Sequence, residues 1–251
     1  MLTAAQRKDI VALQRKKERD DRRQFLVEGP KLVEELLASG WRVDRIVAVA
    51  EWAEGRDLPC PIHIVPLSEL ERVSAMETPN QVLAVARMPA AAAPPASPAG
   101  LVLALDGIQD PGNLGTILRT ADWFAVEHVV CSPDCADRFN PKVVQAGMGA
   151  VFRVPLSTAP LAQWLGQLPA DVEISGAFLD GDNLYATPHP VPAVLVLGSE
   201  GRGISAAVAA HIRRRITIPR PGHGESLNAA IAAALFCAEW RRDLLGPGAR
   251  G

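Results

Sequence analysis

The spacing of apolar residues changes several times along the chain, and each change predicts an element. Phe25 to Val27 reads as a short strand. Gly29-Pro30 then opens a helix in which Leu32, Val33, Leu36 and Leu37 recur at helical spacing until Gly40. Strands follow at Val43 to Val49, Ile62 to Val65 and Gln81 to Arg87, with a short helix between them in which Ser68 and Glu71 fit a capping box. Ahead of these, residues 3–23 predict one charged, solvated helix with Ile10, Val11 and Leu13 as a thin apolar face. Together they predict a small α/β domain over residues 1–87.

Residues 88–100, MPAAAAPPASPAG, hold four prolines and no charge, so they cannot pack a core and predict a semi-rigid linker. From Leu101 the pattern alternates. A strand at Leu101 to Leu105 leads to a helix at Leu114 to Phe124 and a strand at His128 to Cys131. A helix from Pro141, capped by Asn140, precedes a strand at Phe152 to Leu156, a helix at Ala159 to Leu168 and a strand at Val172 to Phe178. Strands at Val194 to Leu197 and Arg215 to Ile218 then lead to an alanine-rich helix from Leu227. Such alternation predicts an α/β domain over residues 101–251 with a mostly parallel sheet covered on both faces.

Composition narrows the function classes. With 48% hydrophobic and 22% charged residues the chain is an ordinary globular one, and no apolar run reaches membrane-span length. The charged N-terminus is not of signal-peptide type, so a cytoplasmic protein is expected. A formal net charge of -2 gives no whole-molecule basic field, so any grip on nucleic acid must be local. The basic residues between Arg7 and Arg23 offer one such patch, and Arg213, Arg214, Arg215 and Arg220 a second. Cys131 and Cys135 are the only close pair among four cysteines and lack two further ligands nearby, so no metal site is expected.

Candidate chemistry lies in loops that follow strands. After Leu197, Gly198, Gly201 and Gly203 allow positive φ and close approach of a ligand to main-chain N–H groups. Ser226 and Asn228 flank the start of the last helix, where free N–H groups and the positive dipole end favour an electron-rich partner. In LDGIQDPGNLGTILRTADWFA, from Leu105, a tight loop of Gly107, Pro111 and Gly112 precedes a helix that carries Asn113 and Arg119. Their six-residue separation leaves them about 120° apart around the axis. Gly115 early in that helix costs up to about 1 kcal/mol against alanine, a sign of close backbone approach. A phosphate loop would need a Lys and a Ser or Thr after Gly112, and the dinucleotide fingerprint and the G-x-S-x-G elbow are both absent.

Taken together these stretches resemble the SpoU/TrmH family of RNA 2′-O-ribose methyltransferases, within the SPOUT superfamily. Its first motif resembles Asn113-Leu-Gly115 through Arg119-Thr120-Ala121, its second Leu197 to Gly201 with Gly203, and its third Ile218-Pro219 through Ser226-Leu227-Asn228. The three occur in family order. FLVEGPKLVEELL in the front domain is more loosely similar to the ribosomal-protein-like substrate-binding domain of many members.

The resemblance implies a deep trefoil knot, with the C-terminal segment threaded through a loop, which composition and periodicity never show. It also implies S-adenosylmethionine held by Leu197, Gly198, Gly203, Ile218, Pro219, Ser226 and Leu227, largely through backbone, and a homodimer whose sites are completed across a two-fold axis. Arg119, Asn113, Glu200, Ser226 and Asn228 are the implied catalytic set. A guanidinium hardly gives up its proton, so Arg119 is expected to hold the ribose or its phosphate and to stabilise the developing alkoxide. Large-subunit ribosomal RNA is the implied substrate. Transfer RNA, a base methyltransferase and a knotted RNA-binding protein without turnover stand as alternatives.

Overall fold

The computed structural model describes residues 1–76 and 78–242; Glu77 and residues 243–251, the end of the second predicted domain, lie outside the described residues. In chain order the elements are α1 (Ala4–Ala12), α2 (Lys16–Arg22), β1 (Gln24–Glu28), α3 (Pro30–Ala38), β2 (Val43–Ala48), α4 (Ala50–Ala53), β3 (Ile62–Ile64), α5 (Leu67–Glu71) and β4 (Val82–Arg87). Then come β5 (Leu101–Asp106), α6 (Pro111–Trp123), β6 (His128–Cys131), α7 (Pro141–Gly147), α8 (Ala150–Arg153), β7 (Leu156–Thr158) and α9 (Leu161–Leu165). The last are β8 (Glu173–Asn183), β9 (Ala193–Gly198), α10 (Ala206–Ala209), β10 (Arg214–Thr217) and α11 (Ala229–Trp240). They form two compact units: Met1–Ala90 with Asp137–Arg153, and Ala91–Ala136 with the described residues from Val154.

The first unit has a four-stranded sheet ordered β1-β4-β2-β3, antiparallel except for β2 and β3. Its core includes Phe25, Leu36, Val47 and Leu83, and also Phe139, Val144, Val151 and Phe152 from the inserted segment. Phe25 and Phe139 lie 4.7 Å apart between ring centroids, and Trp41 meets Phe152 edge-on at 5.4 Å. This explains one departure from the sequence pattern. The apolar run beginning at Phe152 predicts a strand, but Val151 and Phe152 are buried on α8 and the strand starts only at Leu156. A short apolar run does not itself distinguish a buried helical turn from a strand.

Other local differences also have visible causes. The helix predicted over residues 3–23 is broken at Arg15, which is extended, into α1 and α2. The capping box forms at Thr3 and Gln6; at α5 the N-cap is Pro66 with no side-chain cap, so the box predicted for Ser68 and Glu71 does not form. α6 begins at Pro111, three residues before the predicted Leu114, because Asp110 caps it. α9 is shorter than the predicted helix, β8 runs on to Asn183, and α11 starts at Ala229 with Asn228 as its cap. Ser226 is therefore not a helix cap.

The second unit carries six strands ordered β10-β8-β9-β5-β6-β7, every neighbouring pair parallel. β5 and β9 are inside this sheet and read as continuous apolar runs because both faces are covered. Val102, Ala104, Val194 and Val196 share a core cluster with Trp164 and Leu165 of α9 and Val208 of α10, while α11 packs on α6 and β9. Of the linker, Pro95 accepts a hydrogen bond from Trp164 Nε1 at 2.9 Å, and Glu127 accepts from Ala99 and Gly100. Parallel pairing sends the loops after β5, β6, β9 and β10 to one edge of the sheet, where ligands of such folds bind.

Candidate active site

The loop after β9 is shaped by its glycines. A Cβ on Gly198 would run into the backbone of Gly203 and Ile204. Ser199 and Gly203 bond to each other twice, at 3.2 and 2.8 Å, and Gly203 has φ +66. The resulting tight turn projects Glu200 toward α6 and α11. Asp106, at the end of β5, accepts from the Ser205 N–H at 2.7 Å and anchors the far end of the turn.

Three predicted residues meet there. Asp110 accepts from the Asn113 N–H at 2.8 Å, which fixes Asn113 in the first turn of α6. Asn113 donates its side-chain N–H to Glu200 Oε1 at 2.8 Å. Asn228 donates to both Asn113 Oδ1 and Glu200 Oε1, each at 2.8 Å, and the Ala229 N–H adds a bond to Glu200 Oε1 at 3.2 Å. The other face of Asn228 caps α11, its Oδ1 accepting from Ala230 and Ile231. One residue from each of the three motif stretches thus closes a single ring of hydrogen bonds.

The loop after β5 completes the wall. Gly107, at φ +69, donates its N–H to Ser132 Oγ at 2.9 Å, and Ser132 donates to Asp134 at 2.5 Å. The Ile108 N–H reaches Cys135 Sγ at 3.3 Å. Hydrogen bonding from Cys131, with smaller help from Ser132 and from the Ile108 and Gly107 N–H groups, outweighs burial and lowers the Cys135 thiol pKa to about 7. Asp106, Asp110, Ser132 and Cys135 are absent from the predicted set; the signals in sequence are an acid ending a buried strand and Asp-Pro opening a helix.

A cavity of about 230 Å³ lies between these loops, lined by residues 107–110 and 199–202 with Asn113 and Ala229. Asn113 and Glu200 line it, and Asn228 is bonded to both. Arg119 does not; it is exposed, and none of the hydrogen bonds or ion pairs among the described residues engages it. Ser226, Leu227, Pro219 and Gly203 are exposed, Ile218 and Gly198 half-buried, and Leu197 buried beneath the turn, none of them lining this cavity. The second basic patch is engaged within the fold: Arg213 bonds Ala170 and Val172 carbonyls, Arg214 faces Glu173, Arg215 pairs with Asp180, and Arg220 bonds Gly224. Among the described residues no three His, Cys, Asp or Glu side chains gather as metal ligands, and no helix is long and apolar enough to cross a membrane.

The chain is similar over most of its length to known proteins. Residues 100–238 match the SpoU rRNA methylase family, and residues 5–84 match the MRM3-like substrate binding domain. A Bacillus subtilis protein named 23S rRNA (guanosine(2553)-2′-O)-methyltransferase RlmP is 37% identical over 233 residues, 91% of this chain and 93% of that protein. A TrmH-family structure from Porphyromonas gingivalis superposes with TM-score 0.87 at 46% identity, covering 97% of this chain and 99% of that one. The SpoU methyltransferase AviRb of Streptomyces viridochromogenes, solved with AdoMet, gives TM-score 0.87 at 25% identity over 98% and 99% of the two chains.

Proposed function

The chain belongs to the SpoU rRNA methylase family, and from that premise we propose that it transfers a methyl group from S-adenosylmethionine to a ribose 2′-hydroxyl of 23S rRNA. The setting is cytoplasmic and the working form a homodimer. The observation that carries this reading is the ring of Asn113, Glu200 and Asn228, which joins the three motif stretches at the carboxyl edge of the parallel sheet. The Bacillus relative makes a guanosine the first target to test, and the front unit, similar to a substrate-binding domain, supplies the grip on RNA.

The residues suit the cofactor. Its cationic centre calls for carboxylates, and Asp110 and Glu200 line the cavity. Its adenine calls for an apolar surface beside free backbone, and the exposed Leu227 with half-buried Ile218 follows β10 at the same edge of the sheet. When bound, S-adenosylmethionine supplies an already activated methyl group. The chain's task is to align the ribose and to make a weakly acidic hydroxyl nucleophilic. Asn113 and Asn228 hold Glu200 in place; Arg119 stabilises the charge that develops on the 2′-oxygen. The trefoil knot, with the C-terminal segment threaded through a loop, belongs to the same reading.

The homodimer accounts for Arg119. Trp123 lies one turn beyond it on α6 and is 83% exposed, and Ile231 of α11, which packs on α6, is 54% exposed. A second copy docked on this face covers both and carries Arg119 to the partner's site. The test is methyl transfer from labelled cofactor to 23S rRNA of a strain lacking the protein, followed by alkaline digestion. Label in an alkali-stable dinucleotide is the expected result, because a methylated 2′-oxygen cannot attack the next phosphate. Label in mononucleotides alone would overturn the reading in favour of base methylation.

A further inference from the structure

Among the described residues Arg202 is the only basic one lining the cavity, and it stands at the tip of the turn between Gly201 and Gly203. Its N–H donates to Ser199 Oγ at 3.2 Å, so its backbone is held. Its guanidinium is held only by a long ion pair. Its ion-pair partner is Asp134, at 3.6 Å, beyond hydrogen-bond reach, and the two side chains are 70% and 53% exposed. Asp134 is fixed from the other side by Ser132. Among the described residues no hydrogen bond uses the guanidinium, so its fork of donors is unspent above the cavity.

Charge explains why a cation is needed there. Asp110 and Glu200 line the cavity and Asp134 stands beside its rim, near Gly107, so the mouth is acidic. That suits a cationic cofactor and opposes RNA, which brings one negative charge per nucleotide. A long, solvated ion pair is worth little, whereas a guanidinium on a phosphate makes two short charge-assisted bonds. We propose that Arg202 leaves Asp134 to bind a backbone phosphate of the target strand, and that Asp134 holds it over the cavity until RNA arrives. Arg202 is thus a substrate-binding residue for the methyl transfer proposed above, on which this inference rests.

The test uses the full-length protein with a 23S rRNA fragment that the wild type methylates. Arg202→Ala is expected to weaken RNA binding about tenfold at moderate salt and to lower the slope of log Kd against log salt by about 0.7–0.9, one phosphate contact. KM for RNA rises in step while kcat stays within about twofold, and cofactor affinity by calorimetry is unchanged. Arg202→Lys keeps the salt slope but loses part of the affinity, and Asp134→Asn, which frees the cation, tightens RNA binding a few-fold. Unchanged RNA affinity and slope in Arg202→Ala would overturn the proposal, as would an equal loss of cofactor affinity, which would place Arg202 on the cofactor's carboxylate. If the wild type binds cofactor but labels no RNA, the proposed function fails first and takes this inference with it.

Discussion

Asn113 and Glu200, 87 positions apart in sequence, share a hydrogen bond of 2.8 Å, and Asn228 bonds to both. Glu200 Oε1 thereby receives three N–H groups at once, counting that of Ala229. A carboxylate held this firmly keeps its place when a cationic ligand enters, whereas a free side chain would have to be ordered first.

Asn228 separates the two consequences of that arrangement. Its oxygen caps α11 while its N–H group serves the ring. Asn228→Asp keeps a good cap but loses the donor and sets a second carboxylate against Glu200. Its melting temperature is expected to fall by only a few degrees while kcat drops about 10² or more; Asn228→Ala loses the cap as well, at about 1 kcal/mol. Equal activity in Asn228→Asp and wild type would show that the ring has no part in turnover.

Much of this was legible in residues, and the rest was hidden for physical reasons. The strands β5 and β9 are apolar runs, and Pro30 and Pro141 mark helix starts, so local chemistry determines them. Loop glycines and the Asn113, Glu200 and Asn228 motif positions pointed to one site, and they do meet. What local pattern cannot reveal is partnership across the chain. Phe152 looks like a strand residue until Trp41, 111 positions earlier, is seen against it, and Asp106 looks like the end of a strand until the Ser205 N–H, 99 positions later, is seen to donate to it. Arg202 gave no signal, since an arginine between glycines is usually only a solvated turn.

Cys135 yields a prediction in pH. A thiol with pKa about 7 is half ionised at neutrality, against a usual value of 9.0. Because the folded-state value is the lower, the thiolate's contribution to stability is full above pH 9.0 and is lost as pH falls through about 7. Alkylation of Cys135 in the Cys60→Ser variant should show an inflection near pH 7, followed by peptide mass spectrometry. An inflection at 8.5 or above would remove the thiolate from this loop.

Arg19 and Asp137 bind the inserted segment into the front unit. Arg19 is 1% exposed, donates to Asp137 from two nitrogens, at 3.0 and 2.5 Å, and bonds the Leu13 and Gln14 carbonyls. Arg19→Ala leaves Asp137 unpaired and is expected to cost about 3–5 kcal/mol in urea denaturation. A fragment of residues 1–90 lacks Phe139, Val144, Val151 and Phe152 from its core, and should give a poorly dispersed amide spectrum. A well-folded fragment would show that the segment adds little.

Arg119 gives the sharpest test of the dimer. Arg119→Ala is expected to bind S-adenosylmethionine within a few-fold of wild type and to lose about 10² or more in methyl transfer, as for loss of one charge-stabilising donor. Asn228→Asp fails at the ring instead. If Arg119 serves the partner's site, a mixture of the two variants, unfolded and refolded together in equal amounts, regains function. Half of the dimers are then mixed, and one of the two sites in each joins an intact Arg119 to an intact Asn228, so about a quarter of wild-type activity returns. If Arg119 acts within its own chain, every site in the mixed dimer carries one lesion and no activity returns. Trp123→Glu, which puts a charge on the exposed face of α6, should in the first case abolish both the dimer and the recovery, read by light scattering and by methyl transfer on the same samples.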